Sequence, residues 1–352
     1  MEYDILRLFY TILIAFLVSY AATPIVKRLA KKVGALDIPD DDRHIHKKPI
    51  PRLGGLAIFY GFIVAVLCFA DIDRATRGVL IGSVIIVGLG VIDDIFQLKA
   101  LPKFLVQIIA ASVVVCHGLE IHYISNPNIF SEHAYLPFNM WSAPITILWI
   151  VIVTNAVNLI DGLDGLAVGV SSISCVSLLA ISLVTKEINI AILTAAVAGA
   201  AFGFLPYNLH PAKIFMGDTG STFLGFFLGC ISVMGLFKSY AVISFAVPLL
   251  ILGLPIFDTM FAIIRRLLRR QSPMSADREH LHHRLIDMGF SQRQAVLILY
   301  IASALLSMSA VVLMMSGTER SIILIFSVIL LVWVGMKLMK YENDDEEADY
   351  RE

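Results

Sequence analysis

Apolar runs long enough to cross a bilayer recur along almost the whole chain, and few folds tolerate them. A spanning helix needs about 20 consecutive apolar residues, because only a helix pairs every backbone N–H and C=O inside hydrocarbon. Reading the runs between charged breaks gives about eleven spans. They fall at roughly 5–26, 54–70, 78–92, 104–120, 143–160, 165–184, 188–205, 219–237, 240–264, 294–316 and 320–338. The expected fold is all-α, a polytopic integral membrane protein. A soluble chain of 352 residues would not combine 58% hydrophobic with 16% charged residues and a mean hydropathy of +0.82.

Net charge is −1, so nothing points to a nucleic acid partner. Cys68, Cys116, Cys175 and Cys230 all fall inside apolar runs without CxxC spacing and read as inert buried thiols. No cleavable signal peptide is expected, because the positive cluster Lys27, Arg28, Lys31 and Lys32 follows the first apolar segment rather than preceding it.

Orientation follows from Lys and Arg, which accumulate on the cytoplasmic side. All but Arg7, Arg74, Arg77, Lys186, Lys238 and Arg320 of the 27 fall in one set of segments. The amino terminus is therefore expected outside and the acidic tail 341–352 inside. Residues 1–340 are expected to form one transmembrane catalytic domain, with cytoplasmic loops at 27–53, 93–103, 158–165, 206–221 and 265–293. The outer segment 118–142 is expected to be a short hairpin or irregular loop without chemistry. His117, His122 and His133 have no partners at ligand spacing. The polar side chains thus gather on one membrane face, whereas a transporter tends to keep them at mid-membrane on broken helices.

The stretch Val153–Ala167, VTNAVNLIDGLDGLA, holds Asn155, Asn158, Asp161 and Asp164 between two apolar runs. If its turn is helical, Asp161 and Asp164 share a face. Taken alone, it reads equally well as a solvated loop capping a membrane helix. Asp93 and Asp94 close the third span, and Asp218 opens the eighth in MGDTGS, where Thr219 and Ser221 are candidate caps. Carboxylates in such a cluster suit Mg²⁺, a hard ion that keeps waters and bridges substrate phosphates. Lys47, Lys48, Arg52, Lys103 and the His280–Arg284 group supply complementary charge. Metal, carboxylates and cations on one face suggest phosphoryl transfer. The histidines of HLHH lack an HExxH frame or cysteine partners, so structural zinc is disfavoured and phosphate contact is preferred. In the ninth span Pro248, Gly253 and Pro255 predict a kink or break beside Asp258.

Five segments in order carry a resemblance: PRLGG (51–55), VIDD (91–94), NAVNLIDGLDGLA (155–167), PYNLHPAKIFMGDTGS (206–221) and HLHHRL (280–285). From about Lys27 to Leu285 the chain resembles the polyprenyl-phosphate N-acetylhexosamine-1-phosphate transferases, a glycosyltransferase family 4 type of membrane enzyme. These load a sugar phosphate from a UDP-sugar onto a lipid carrier. The resemblance implies ten or eleven spanning helices and an active site in a cytoplasmic cleft of the bacterial plasma membrane. It implies Mg²⁺ as cofactor, with Mn²⁺ as the substitute ion, and Asp218 as the main ligand, supported by Asp94. Asp93 would deprotonate or position the lipid phosphate. Asn158, Asp161, Gly162, Leu163, Asp164 and Phe215 would form the nucleoside pocket, with Asn155 beside them and Phe215 stacked on uracil. Asn208 and Lys103 would approach the diphosphate, Lys47 the phosphate region of the cleft, and His280, His282 and His283 the phosphates or sugar.

Two branches of the family differ in substrate. The muramyl-pentapeptide branch (MraY) tends to read TPTMGG where this chain has IPRLGG. Arg52, the REHLHHRL segment and an eleventh span with an inside tail look like the GlcNAc branch (the WecA/TagO enzymes). That branch uses UDP-GlcNAc and undecaprenyl phosphate to begin teichoic acid, O-antigen or related glycans. Other classes stay open, among them a nucleotide-sugar transporter and a lipid-binding scaffold. The oligomeric state stays open between monomer and homodimer.

Overall fold

The computed structural model describes residues 2–38, 49–125, 135–235, 246–268, 280–316 and Phe326. The longer helices in order are α1 (Glu2–Val33), α2 (Gly55–Phe69), α3 (Arg74–Phe96), α4 (Ala100–Cys116), α5 (Ser142–Leu159), α6 (Leu166–Val184), α7 (Ile188–Asn208) and α8 (Gly217–Gly235). Then come α9 (Ala246–Ile251), α10 (Gly253–Leu268), α11 (Leu281–Asp287) and α12 (Gln292–Ser316). Two small antiparallel pairs complete it: β1 (Leu36–Asp37) with β2 (Ile50–Pro51), and β3 (Tyr123–Ser125) with β4 (Tyr135–Pro137). The second pair falls within 118–142, the segment expected to be a short hairpin or irregular loop. Six helices are long and apolar enough to cross a membrane, and α2 and α4 are shorter apolar helices. The candidate span 320–338 and the tail 341–352 lie outside the described residues, apart from Phe326.

The packing is that of a lipid-facing bundle. Helix α1 exposes Ile5, Phe9, Leu13 and Leu17 and buries Thr11, Ala15, Ser19 and Thr23, so its greasy face looks outward. Without a hydrophobic drive between helices in lipid, close approach of small residues holds them together. Two buried hydroxyls of α1 are satisfied inside the helix: Thr11 donates to the Arg7 carbonyl and Thr23 to that of Ser19, each at 2.7 Å.

Helix α8 is the hub, with every residue from Thr219 to Met234 buried. Phe62 of α2 packs on Phe223 and Phe227 with ring centroids 5.3 Å away in each case. Gly90 lets α3 reach its first turn: a Cβ there would lie 2.3 Å from the Thr219 Cα.

The ninth span is broken as expected. Helix α9 stops at Ile251 and α10 restarts at Gly253, with Pro255 third in α10. A proline in a first turn forfeits no intrahelical bond, so Pro255 stands where the break makes it harmless. The loops are shorter than expected. Helix α1 continues to Val33, α3 contains Asp93 and Asp94, α5 reaches past Asn158, and α8 begins at Gly217. Charge at a helix end looks like loop in the sequence, whereas capping and pairing keep these residues helical.

Candidate active site

Asp93 and Asp94 occupy the last turn of α3, which ends at Gln97 in a left-handed conformation. Both are buried. Asp93 accepts the Leu98 N–H at 2.7 Å and the Lys103 ammonium at 2.6 Å. The same ammonium donates to Asp218 at 2.7 Å. One Lys103 Nζ, fourth in α4, therefore joins carboxylates brought from α3 and α8. The amide of Asn158 donates to Asp218 Oδ1 at 3.2 Å and to Ser221 Oγ at 2.8 Å.

Asp94 acts differently. Its Oδ1 accepts the Asp218 N–H at 2.9 Å and Arg52 Nε at 3.3 Å, while Oδ2 accepts Thr219 N–H at 3.1 Å and Thr219 Oγ1 at 2.6 Å. It caps the α8 amino terminus from a neighbouring helix, where unpaired N–H groups and the helix dipole favour a carboxylate. Both of its oxygens are thereby engaged by α8 and Arg52. Thr219, a candidate cap of its own helix, instead donates to Asp94.

Arg52 is set by a backbone bridge to Phe215, with Phe215 N–H on the Pro51 carbonyl at 2.8 Å and Gly54 N–H on the Phe215 carbonyl at 3.0 Å. Its guanidinium spans Asp94 and, at 3.7 Å, Asp37. Lys47 lies outside the described residues.

The Asp161–Asp164 segment is a chain of turns, so the two carboxylates do not share a helical face. Asp161 is half-buried. Burial first, then the charges of Asp218 and Asp94, push its carboxyl up to about 8. Asp164 instead accepts from His210 Nδ1 at 2.8 Å and Ala212 N–H at 3.0 Å. Asn208, expected near the diphosphate, is a buried staple: its Oδ1 accepts Gly165 N–H and its amide donates to the Ile214 carbonyl, both at 3.1 Å. Tyr300 of α12 adds a 2.6 Å bond to the Gly165 carbonyl. Leu163 is buried, and Asn155 pairs with Gln107 at 2.6 Å and its own Val151 carbonyl at 2.8 Å. Asp164 and Asn208 thus fasten the turns that carry Asp161 and Gly162, while Asn155 ties α5 to α4.

The histidines reach the same place from α11. A Cβ on Gly162 would lie 2.2 Å from His282 Nε2, so the missing side chain makes room for the ring. His282 is buried, and its Nδ1 has no partner among the described residues. Burial, then the neighbouring His283, pulls His282 down to about 4, so near neutral pH it is an uncharged imidazole. The His280 ring lies parallel to it with centroids 5.8 Å apart, and the His283 ring centroid is 4.3 Å away. His280 is buried against Asp258 of α10. A lone carboxylate inside an apolar run, Asp258 carries its own signal in the sequence. Gln107, His210 and Tyr300 gave none.

Among the described residues no group of three or more His, Cys, Asp or Glu side chains is set to hold a metal alone. Mg²⁺ does not require one, since it is typically bound by one or two carboxylates, waters and substrate phosphates. Asp93 and Asp218, gathered on a single cation, fit that donor chemistry.

The shifted Asp161 carboxyl makes a stability prediction. The folded state holds this proton up to about pH 8, and the unfolded chain releases it near 3.8. Stability is therefore lost as pH rises between those values, because the unfolded state binds fewer protons there. Without added divalent ions, Asp161→Asn should melt a few degrees above wild type at pH 8.5, with the gap closing toward pH 5. A gap independent of pH would show that Asp161 is ionised in the fold.

A helical membrane bundle with polar groups gathered at its helix ends is a setting for chemistry on a membrane-borne group, and the sequence comparisons specify which. The model of Glycosyl transferase family 4 matches residues 76–236. A probable undecaprenyl-phosphate N-acetylglucosaminyl 1-phosphate transferase of Bacillus subtilis is 44% identical over 340 residues, 95% of this chain and 93% of that protein. A decaprenyl-phosphate N-acetylglucosaminephosphotransferase of Mycolicibacterium smegmatis is 36% identical over 326 residues, 85% of this chain and 80% of that one. A phospho-N-acetylmuramoyl-pentapeptide-transferase of Caldicellulosiruptor bescii is 32% identical over 321 residues, 85% and 95% of the two chains. The chain belongs to this family of membrane sugar-phosphate transferases, on the side of the polyprenyl-phosphate N-acetylglucosaminyl 1-phosphate enzymes.

Proposed function

We propose that the chain transfers GlcNAc-1-phosphate from UDP-GlcNAc to undecaprenyl phosphate, releasing UMP. A lipid phosphate oxygen bonds to the β-phosphorus of the donor, and the bond from that phosphorus to the oxygen bridging to UMP breaks. The observation that carries this reading is the Asp93–Lys103–Asp218 bridge. Two carboxylates and a cation from three helices meet where a diphosphate would need charge on both sides.

In this reading Asp218 and Asp93 hold Mg²⁺, which supplies charge neutralisation across the two phosphates. Asp93 also orients the lipid phosphate, and Lys103 offers its ammonium to the diphosphate. Asn158 steadies Asp218, and Asp94 fixes the α8 end through Thr219 and Arg52. Asp161, Gly162, Leu163 and Phe215 line the nucleoside side, with Asp161 protonated and able to donate. His282 closes the wall as a neutral donor. The eleven-span topology, the outside amino terminus and the cytoplasmic cleft belong to the same proposal, supported by the distribution of Lys and Arg. A long prenyl chain cannot cross water, so an apolar approach is expected beside α10, past the break at Leu252.

Substrate choice tests it. Purified protein with Mg²⁺ and undecaprenyl phosphate should release UMP from UDP-GlcNAc and not from UDP-MurNAc-pentapeptide. Efficient release from the pentapeptide substrate would move the chain to the muramyl branch.

A further inference from the structure

We propose that Asp258 is the positioning residue of the histidine segment, fixing the tautomer of His280 and the start of α11 together. Its Oδ2 lies 2.9 Å from His280 Nδ1, and its Oδ1 accepts the Leu281 N–H at 2.9 Å. Asp258 and His280 are both buried, at 4% and 5% exposure, so water does not compete for these bonds. A carboxylate only accepts, so Nδ1 of His280 carries the proton and the lone pair of the neutral ring is on Nε2. The second bond draws the first turn of α11 onto α10. That contact sets where the helix carries His282, whose ring stacks parallel to His280 and lies on Gly162.

The arrangement solves a problem of chain geometry. His282 contributes to the site wall only if α11 is held to within a fraction of an ångström of the Gly162 turn, because a bare Cα is all that separates the two. Asp258 makes two side-chain hydrogen bonds that tie the start of α11 to α10. The same helix exposes Phe257, Met260, Phe261 and Ile264 on its other side. One residue therefore joins an outward apolar helix to the imidazoles at the site.

The proposal rests on the transferase reading for its kinetic arm and is independent of it for its spectroscopic arm. In [¹⁵N]histidine spectra of the full-length protein at about pH 8, with the His280 signal identified by its loss in His280→Gln, wild type should show the Nδ1–H tautomer. Asp258→Ala should lose that preference. In UMP-release assays Asp258→Ala should lower kcat roughly tenfold to a hundredfold, the cost typical of removing a histidine's orienting carboxylate. Affinity for UMP should fall by a smaller factor than kcat, because His282 meets the nucleoside side only at Gly162 and the rest of that side is built by other loops. Asp258→Asn keeps one acceptor for Nδ1–H and should recover the tautomer and part of kcat. If Asp258→Ala does not fold, the Asn variant and the wild-type spectrum decide alone. An Nε2–H tautomer in wild type, an unchanged kcat in Asp258→Ala, or equal loss of UMP binding in Asp258→Asn would each overturn the assignment. A wild-type protein that releases no UMP would remove the transferase reading and leave the tautomer result standing.

Discussion

Asp218→Asn should reduce UMP release by on the order of 10³-fold while the protein still inserts and melts normally. Asp218 stands second in α8, with one oxygen on Lys103 at 2.7 Å and the other 3.2 Å from the Asn158 amide. An asparagine keeps the shape and could still accept from either donor. What it removes is a full negative charge, and no neutral amide replaces a carboxylate against a divalent ion bridging two phosphates. Lys103 would then keep only Asp93 as an anionic partner, so its ammonium should move and the diphosphate should lose its seat. The checks are initial rates across a Mg²⁺ titration and a thermal melt of the same preparation. Turnover within severalfold of wild type, at saturating Mg²⁺, would sink the assignment of Asp218 to the metal.

The bundle was legible because its constraint is one-dimensional. A run of apolar residues must become a helix in lipid, and Pro248 and Pro255 announced the break at Leu252. The site was half legible. Asp93, Asp94, Asp218, Asn158 and Asp161 stand out because charge and amides are costly in a chain this apolar. What sequence could not provide was the division of labour among identical side chains. Asp93 and Asp94 are adjacent, yet one turns to Lys103 and the other to the α8 backbone. Asp161 and Asp164 sit in repeated Asp-Gly steps, yet only Asp161 is set against the acidic cluster, while Asp164 binds His210. Lys103 is ten positions from Asp93, but the choices of Asp94, Asp161 and Asp164 depend on residues more than 40 positions away, such as Thr219 for Asp94, and no local pattern encodes them.

Asp94 offers the sharpest test of that division. If it is a metal ligand, its loss should shift the Mg²⁺ requirement; if it is the cap of α8, the requirement should hold and the rate and stability should fall. The geometry favours the cap, because its two oxygens already receive the N–H groups of Asp218 and Thr219, the Thr219 hydroxyl and Arg52 Nε. In Asp94→Asn the new NH₂ must face one of these donors, leaving a buried N–H or hydroxyl unpaired and Arg52 with Asp37, 3.7 Å away, as its anionic partner. Losing a buried, multiply bonded charge of this kind costs about 3–5 kcal/mol. Asp94→Asn should therefore melt well below wild type and turn over about tenfold to a hundredfold more slowly, with half-maximal Mg²⁺ within about threefold of wild type. Thr219→Val, which removes only the hydroxyl donor, should move both quantities in the same direction by less. Because the two residues share one bond network, the double variant should fall short of the sum of the two effects. A Mg²⁺ midpoint raised tenfold or more in Asp94→Asn, with Thr219→Val unaffected, would return Asp94 to the metal and leave the α8 terminus to be capped by something else.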